Sequence, residues 1–557
     1  MKNIIQKYWK ELLSLLYGVV AWLVWNNLYW GHIQYQELLQ MFLFDTDYLI
    51  ERISMTGGLA DYIGEFLTQF YYIHYSGALI IALLLVAFQR GVWTVAKNSG
   101  VQSQYYFLSF LPSVLLWSAM CNEDMLLSLP VALMLVVIAI LIAQYIKSEK
   151  TKTVYTLLVT PLLYWLAGPA HFVFVLWAVC NMRSIKRELW KAVLIIFIAC
   201  LVPYIASFYL HYPTQKIFLG LNYSRSYDDI PPLMLISAFS FALMPWTMTL
   251  LPEIRKQMIV KISCFATVLY AMGGGLIASQ MDTKREEIFQ YHQLICRGKW
   301  EKVIAMAEKE SPTEPLAVCC LNLALGKMGM LTDRMFHYYQ SNIQTLLPIY
   351  TSDFVAPIIS CEVMYHLGLI NETQRYAFEG IQSTLNYRKS ARLYKRLAET
   401  NLLNGNYKVA ERYLTALQKT VYYRTWAVRT MEYVRNPELI LQNPEWKMLL
   451  DYRIKEDFLF DEHQMTAILY QLVSVNPNNT LALEMLYAHL LLSHDFETLV
   501  DCLSLMNRAG YKRIPQGIQE AVLYYWREKY DDYSQLPFTP SQDIVRKIED
   551  FARALNY

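Results

Sequence analysis

Long apolar runs recur through the first half of the chain and stop near residue 282. They fall at about 12–30, 73–89, 105–121, 125–146, 153–168, 170–182, 191–210, 233–252 and 262–280. A helix rises 1.5 Å per residue, so about 20 apolar residues cross the hydrocarbon core of a bilayer. The pattern therefore predicts about nine spans. The fifth and sixth runs are short and are divided only by Gly168-Pro169-Ala170-His171. They form either a tight hairpin or one broken helix. After residue 282 the pattern changes to helices carrying one apolar stripe, with apolar positions at i, i+3 and i+4. Alternation of the strand type is absent. The expected fold class is all-α, with a polytopic α-helical membrane domain over 1–282 and a helical domain over 283–557.

Basic residues assign the two sides of the membrane. Lys2, Lys7 and Lys10 precede the first run, and Arg90 and Lys97 follow the second. Lys147, Lys150 and Lys152 follow the fourth; Arg183, Lys186 and Arg187 the sixth; Arg255, Lys256 and Lys261 the eighth. With nine spans all these clusters lie on one side, the cytoplasmic one. The opposite side receives a long first loop, about 31–72, then Asn122-Glu123-Asp124, then Gly168-Pro169, then a fourth loop with His211, Lys216, Arg225, Tyr227, Asp228 and Asp229. The four histidines of this half, His32, His74, His171 and His211, map there too. The N-terminus is expected in the cytoplasm, as an uncleaved signal anchor, and residues 283–557 outside it. In a Gram-negative inner membrane the outside is the periplasm.

The first outer loop is more than a linker. Residues 35–53 (YQELLQMFLFDTDYLIERI) and 58–72 (GLADYIGEFLTQFYY) mix apolar residues with acids. Both predict amphipathic helices lying on the membrane surface. Within the first, Asp45 and Asp47 stand two apart. In an extended segment they point to one side and form an oxygen-ligand pair for Mg²⁺ or Mn²⁺. On a helix they diverge, and Asp47 shares a face with Glu51. The plainer reading is a solvated or helix-capping pair.

Composition sharpens the division. Of the charged residues, 33 fall in 1–282 and 63 in 283–557, while ten of the 14 Trp lie in the first part. The formal net charge is only +2, so nothing points to nucleic acid. The nine Cys form no CxxC pair and no zinc spacing, and are read as small buried hydrophobes.

In the second half three stretches look alike: RGKWEKVIAMAEK (297–309), NGNYKVAERYLTALQK (404–419) and SHDFETLVDCLSL (493–505). Each has a small or polar turn, an aromatic, then an amphipathic helix. NPNNTLALEMLYAHLLL (476–492) adds a helix before the third. This resembles tetratricopeptide repeats, whose helix pairs of about 34 residues stack into an α-solenoid. The spacing is degenerate. The resemblance implies a surface that binds a protein partner; the plainer role is to brace the membrane part.

The first half resembles the GT-C class of integral-membrane glycosyltransferases. The likeness rests on the signal anchor, the long acid-bearing first outer loop, the span opened by NEDMLLSLPVALMLVVIAILIA, the short hairpin LAGPAHFVFVLWAV, and RSIKRELWKAVLIIFIACLVPYIASFYL after it. It implies transfer of a sugar from a polyprenyl-phosphate donor on the outer face. Asp45 or Asp47 would match the first-loop acid that acts as base or metal ligand, and Glu123 or Asp124 the second acid. Arg225, Lys216, His171 and His74 are the candidate substrate-binding residues, the first three for neutralising the phosphate. The chain departs from the class at the hairpin, where Ala167 stands in place of the Lys that often precedes Gly-Pro, and in its low span number. The implied partners are membrane lipid, the polyprenyl-phosphate sugar and a protein on the repeat-like domain. A competing reading is a non-catalytic membrane scaffold that presents the repeat domain for envelope assembly. A lipid-substrate transporter is weaker, because few ionisable residues fall mid-span and the membrane half shows no internal repeat.

Overall fold

The computed structural model describes residues 2–182, 185–226, 229–252, 259–348, 355–384, 389–455, 458, 460–530, 533, 536 and 538–554. It is all-helical, with no strand among the described residues and one isolated bridge between Met125 and Ser224. The chain divides into two units. The first is formed by the chain up to Thr283, joined by Lys419–Tyr422; the second is built from the described remainder after Lys284.

The first unit contains α1 (Lys2–Asn27), α2 (Trp30–Leu38), α3 (Thr46–Ser54), α4 (Gly58–Gln69), α5 (Ser76–Asn98), α6 (Phe110–Met120), α7 (Ser128–Tyr145), α8 (Glu149–Ala167), α9 (His171–Cys180), α10 (Ile185–Ala206), α11 (Pro232–Thr249) and α12 (Ile259–Gln280). Five helical stretches are long and apolar enough to cross a membrane, or seven when two bent pairs are each taken as one span. Two features separate this from the expected nine. The 105–121 run is a 3₁₀ stretch, Ser103–Ser109, followed by an α-helix of only 11 residues. The 153–182 runs form a single broken stretch, Glu149–Cys180, interrupted at Gly168, whose φ is +74°.

Helix α10 shows why lipid is the natural surrounding. It leaves Val193, Ile196, Phe197 and Tyr204 exposed, a set that water would penalise. Its opposite side packs Ile195 and Ala199 against Val175. The main core lies between α1, α5, α7, α9 and α11, around Trp25, Leu85, Phe88, Leu133, Phe174 and Phe241. Inside it, buried polar side chains pair across helices. Ser14 Oγ donates to Gln89 Oε1 (2.7 Å), and Gln89 Nε2 donates to Ser109 Oγ (2.7 Å). Such pairs bind helices where no water competes.

The first loop corrects the surface-helix expectation for 35–53. Those residues do not form one helix, and Tyr35–Leu38 are buried in α2 rather than lying on a surface. Helix α2 bends away from Tyr8–Asn27 by 73° and sends its Gln and Glu side chains inward. Only α3 and α4 keep the amphipathic pattern.

The second unit is built largely of helices that pack against their neighbours in sequence. Its elements are α13 (Thr283–Cys296), α14 (Trp300–Lys309), α15 (Pro315–Lys327), α16 (Leu331–Arg334), α17 (Val355–Leu367), α18 (Ile370–Gln382), α19 (Ala391–Leu403), α20 (Tyr407–Gln418), α21 (Arg424–Arg435), α22 (Pro444–Tyr452), α23 (Met465–Val475), α24 (Thr480–Leu492), α25 (Phe496–Asp501), α26 (Ser504–Arg508), α27 (Gln516–Lys529) and α28 (Gln542–Ala554). The three look-alike stretches share a turn. Gly298, Gly405 and His494 all have positive φ (61°, 76° and 56°), the left-handed residue that ends one helix before the next begins. In the third stretch the following helix breaks at Cys502-Leu503. Helix α24 packs against α15, α16, α17 and α27 as well as its sequence neighbours. In a simple solenoid each repeat touches only the next; here α24 reaches elements about 150 positions earlier, as when Glu484 accepts from Thr332 N (3.0 Å).

Candidate functional site

Four loops that the charge pattern assigned to one side meet at one end of the first unit. Gln36 of α2 donates through Nε2 to Glu123 O (2.6 Å). Arg225 donates to Glu123 O (3.0 Å) and Gln36 O (3.2 Å), and its backbone N–H donates to Asp124 O (2.8 Å). Ala170 N donates to the Tyr223 hydroxyl (2.9 Å), which donates in turn to Ala167 O. Gly57 N reaches Trp165 O (2.7 Å), and Trp165 Nε1 donates to Ile53 O (2.7 Å). Gly57 and Gly168, both at positive φ, approach closely enough that a Cβ on Gly57 would lie 3.3 Å from Gly168 Cα. Lys10 and Arg90, two of the residues the charge pattern assigned to the other side, pair elsewhere in the unit: Lys10 lies over the Trp93 ring (4.6 Å), and Arg90 lies 3.6 Å from Glu11.

Helix α3 gives this end its acids. Asp45 ends an extended segment (φ −142°, ψ 142°) and Asp47 sits in the first helical turn. Asp45 takes an ion pair from Lys419, and the Phe44 N–H donates to Lys419 O (2.7 Å). The Lys419 ammonium, followed by backbone N–H groups of α3, holds the Asp45 carboxyl below its ordinary range. Asp47 and Glu51 lie exposed, one turn apart, on the outward face of α3. The inward face carries Tyr48 and Arg52, also one turn apart.

Beneath α3 lies a carboxylate that sequence reasoning passed over. Glu65 of α4 is only 3% exposed. It accepts from the Tyr48 hydroxyl and from Arg52 Nε (3.2 Å), and the Arg52 guanidinium lies 4.9 Å from the Tyr48 ring centre. Burial and then the Glu65 charge push the Tyr48 phenol up. Burial works against the Arg52 charge, yet Glu65, Tyr48 and Asp61 hold it above its ordinary value. The signal was present in the sequence. Tyr48/Arg52 and Asp61/Glu65 are i, i+4 pairs, one of hydrogen-bond donors and one of acids, on helices joined by a Gly-Gly turn.

The remaining candidates are distributed as follows. Glu123 and Asp124 are half-buried and enter the network through their backbone carbonyls. Arg225 and Lys216 are 2% and 3% exposed, and Lys216 Nζ donates to Ser224 O (3.3 Å). Both fasten the fourth loop from inside. His171 is fully buried, its ring nitrogens 3.2 Å from Gly168 O and 3.0 Å from Ala199 O. His74 is exposed beside Trp30 and Tyr75, and His211 is exposed. His32 is buried against Tyr29 (ring centres 4.7 Å apart). Tyr227 and Asp228 lie outside the described residues. Among the described residues no three His, Cys, Asp or Glu side chains gather as a metal site.

Over residues 5–557 the chain matches the model of a family of unknown function, DUF6057, and it belongs to that family. No curated protein and no solved structure matches it.

Proposed function

We propose that this member of the family is a membrane transferase of the GT-C kind, moving a sugar from a polyprenyl-phosphate donor at the four-loop end of its first unit, outside the cytoplasm. One observation carries the reading. The helix that follows Asp45 and bears Asp47 and Glu51 is fixed to α4 by Tyr48 and Arg52 and to the hairpin by Trp165. Loops are where binding groups sit on a rigid scaffold. In this reading Asp47 takes the proton of an acceptor hydroxyl. That oxygen bonds to the anomeric carbon while the bond to the phosphate oxygen breaks, and the phosphate leaves with the electron pair and inversion at carbon. Lys419, exposed beside Asp45, neutralises the leaving phosphate. Arg225 and Lys216 pass from phosphate binding to holding the loops. No step is routed through a metal.

The second unit would hold the acceptor or a partner in a tetratricopeptide-like array, with up to nine spans anchoring the first in a Gram-negative inner membrane. The test is turnover of a panel of radiolabelled polyprenyl-phosphate monosaccharides by membranes holding the full chain. The reading expects polyprenyl phosphate release, reduced at least 100-fold in Asp47→Asn. No turnover above empty membranes, or turnover undiminished in Asp45→Asn/Asp47→Asn, would overturn it.

A second reading, a non-catalytic scaffold for envelope assembly, is favoured by the burial of Arg225, Lys216 and His171 against backbone carbonyls. A scaffold would keep its cellular role with both aspartates replaced and lose it without 283–557.

A further inference from the structure

Positive charge is concentrated in one stretch of the second half of the chain. Residues 389–435 carry ten Lys and Arg and only three Glu, in a chain whose formal net charge is +2. Part of that charge is matched. Arg396 is held by Glu362 and Glu399, Lys395 lies 3.6 Å from Glu399, and Lys419 pairs with Asp45. Most of the rest is displayed on α20 and α21, which pack against each other. Lys408, Arg412, Arg424, Arg429 and Arg435 are all exposed there. Glu411 and Glu432 are the acids of these two helices, so the pair keeps an excess of three positive charges.

Apolar residues stand among those cations. Val409, 41% exposed, lies one turn before Arg412 on α20. Val428, 53% exposed, lies one turn after Arg424 and next to Arg429 on α21. A soluble polyanion has no use for exposed valines, whereas a lipid surface uses both chemistries. Guanidinium groups match headgroup phosphates, and apolar side chains reach the boundary of the acyl chains. The chain supplies such a surface itself. Its first unit carries helices long and apolar enough to cross a membrane, and Lys419–Tyr422, the segment that joins α20 to α21, is grouped with that unit. A tethered cationic face meets headgroups at a far higher effective concentration than a free one.

We propose that the exposed face of α20 and α21 binds an anionic lipid surface, with Arg412, Arg424 and Arg429 on headgroup phosphates and Val409 and Val428 at the acyl boundary. Each Lys or Arg near an anionic leaflet adds its own increment of attraction, so the cations act together and the contact weakens with salt. The proposal does not depend on sugar transfer by the first unit.

The test uses the full chain in nanodiscs of phosphatidylcholine alone or of phosphatidylcholine and phosphatidylglycerol in equal parts. Phenylglyoxal modification of each arginine is followed by mass spectrometry. Arg412, Arg424 and Arg429 are expected to react at least about fivefold more slowly in the anionic discs, while Arg508 and Arg513, exposed on other elements, react alike in both. Salt at about 1 M, where the Debye length is about 3 Å, should remove most of the protection. Arg412→Glu/Arg429→Glu should bring the protection of Arg424 below twofold. Val409→Asp/Val428→Asp should do the same without touching an arginine, and Arg508→Glu/Arg513→Glu should leave it as in the wild type. Equal reactivity of Arg412, Arg424 and Arg429 in the two discs would overturn the proposal. So would equal protection of Arg508 and Arg513, which would mark a general field effect. Protection by heparin added to neutral discs, with none from anionic lipid, would assign the face to a soluble polyanion and overturn it too.

Discussion

Arg396 is the most heavily committed charge in the second unit, and removing it tests whether that unit is held by its buried ions. Nη2 lies 3.0 and 2.8 Å from the two oxygens of Glu362, Nη1 lies 2.8 Å from Glu399 Oε2, and the guanidinium carbon lies 3.5 Å from the Tyr365 ring centre. Both carboxylates are only 7% exposed, so solvent screens them little. Arg396→Met keeps the length of the side chain and strands two buried acids. Breaking a buried pair on one side costs about 3–5 kcal/mol. Lys395, 3.6 Å from Glu399, offsets part of that. At about 2–4 °C per kcal/mol for a unit of this size, the midpoint should fall by roughly 10 °C.

The readout is alkylation of Cys361, which is 1% exposed and follows Glu362's neighbourhood, located by mass spectrometry in the full chain. Since 1.4 kcal/mol is tenfold, labelling through local opening should quicken at least about 100-fold. The pH dependence has a definite sign. Burial opposes the Glu362 charge, but Arg396 outweighs it and holds the carboxyl at about 2. The folded value lies below the unfolded one, so its stabilisation is full above the unfolded range near 4.3 and is lost as pH falls toward 2. In Arg396→Met the stranded acid should instead gain stability on acidification. Adding Glu362→Gln and Glu399→Gln should recover most of the loss at neutral pH. If the triple variant is as open as the single one, lost packing on Tyr365 rather than charge explains the effect, and the reasoning is wrong.

Three further outcomes follow from the first unit and from α24. Tyr48→Phe removes a donor to Glu65 and should cost about 1–2 kcal/mol, read as faster proteolysis between α3 and α4 in nanodiscs. Gly64→Ala would place a Cβ 2.7 Å from Ser128 N, backbone against backbone, and should lower the thermal midpoint in detergent by several degrees, whereas Gly405→Ala, with open space at its Cβ, should suffer only from its left-handed backbone. Burial raises the Glu484 carboxyl above its ordinary value despite its bonds from Thr332 and Tyr511. A raised folded value favours the protonated form, so the α16–α24 contact should strengthen as pH falls from 7 to 5, and Glu484→Gln should flatten that trend in hydrogen exchange.

The helical class and the change of character near residue 282 were legible because apolar periodicity is local. So were the shared left-handed turns at Gly298 and Gly405, since glycine there has a backbone reason. His494 in the same place was not, because histidine gives no such signal. The grouping of the four loops followed from counting basic residues, a long-range inference from short-range facts. Burial of α2 was missed because Gln34, Gln36 and Glu37 read as water-facing, whereas the fold uses Gln36 to bind Arg225 and Glu123. The 105–121 run is not among the helices long enough to cross a membrane, because hydropathy registers apolarity and not the 3₁₀ start that shortens α6. Asp45 was singled out as a candidate catalytic or metal-binding acid, but its ion-pair partner Lys419 lies 374 positions away and no local pattern announces it.

The account rests on an acid-bearing face outside the cytoplasm. Glu51, 68% exposed in its side chain on α3, and Lys147, exposed between α7 and α8, give that claim its most direct measurement. Each is replaced by Cys in turn in the full chain, and intact cells are treated with a membrane-impermeant maleimide, with modified peptides identified by mass. The account predicts that Glu51→Cys labels in intact cells and Lys147→Cys only after permeabilisation. Labelling of Lys147→Cys in intact cells, with Glu51→Cys protected until permeabilisation, would place the acids in the cytoplasm and contradict it.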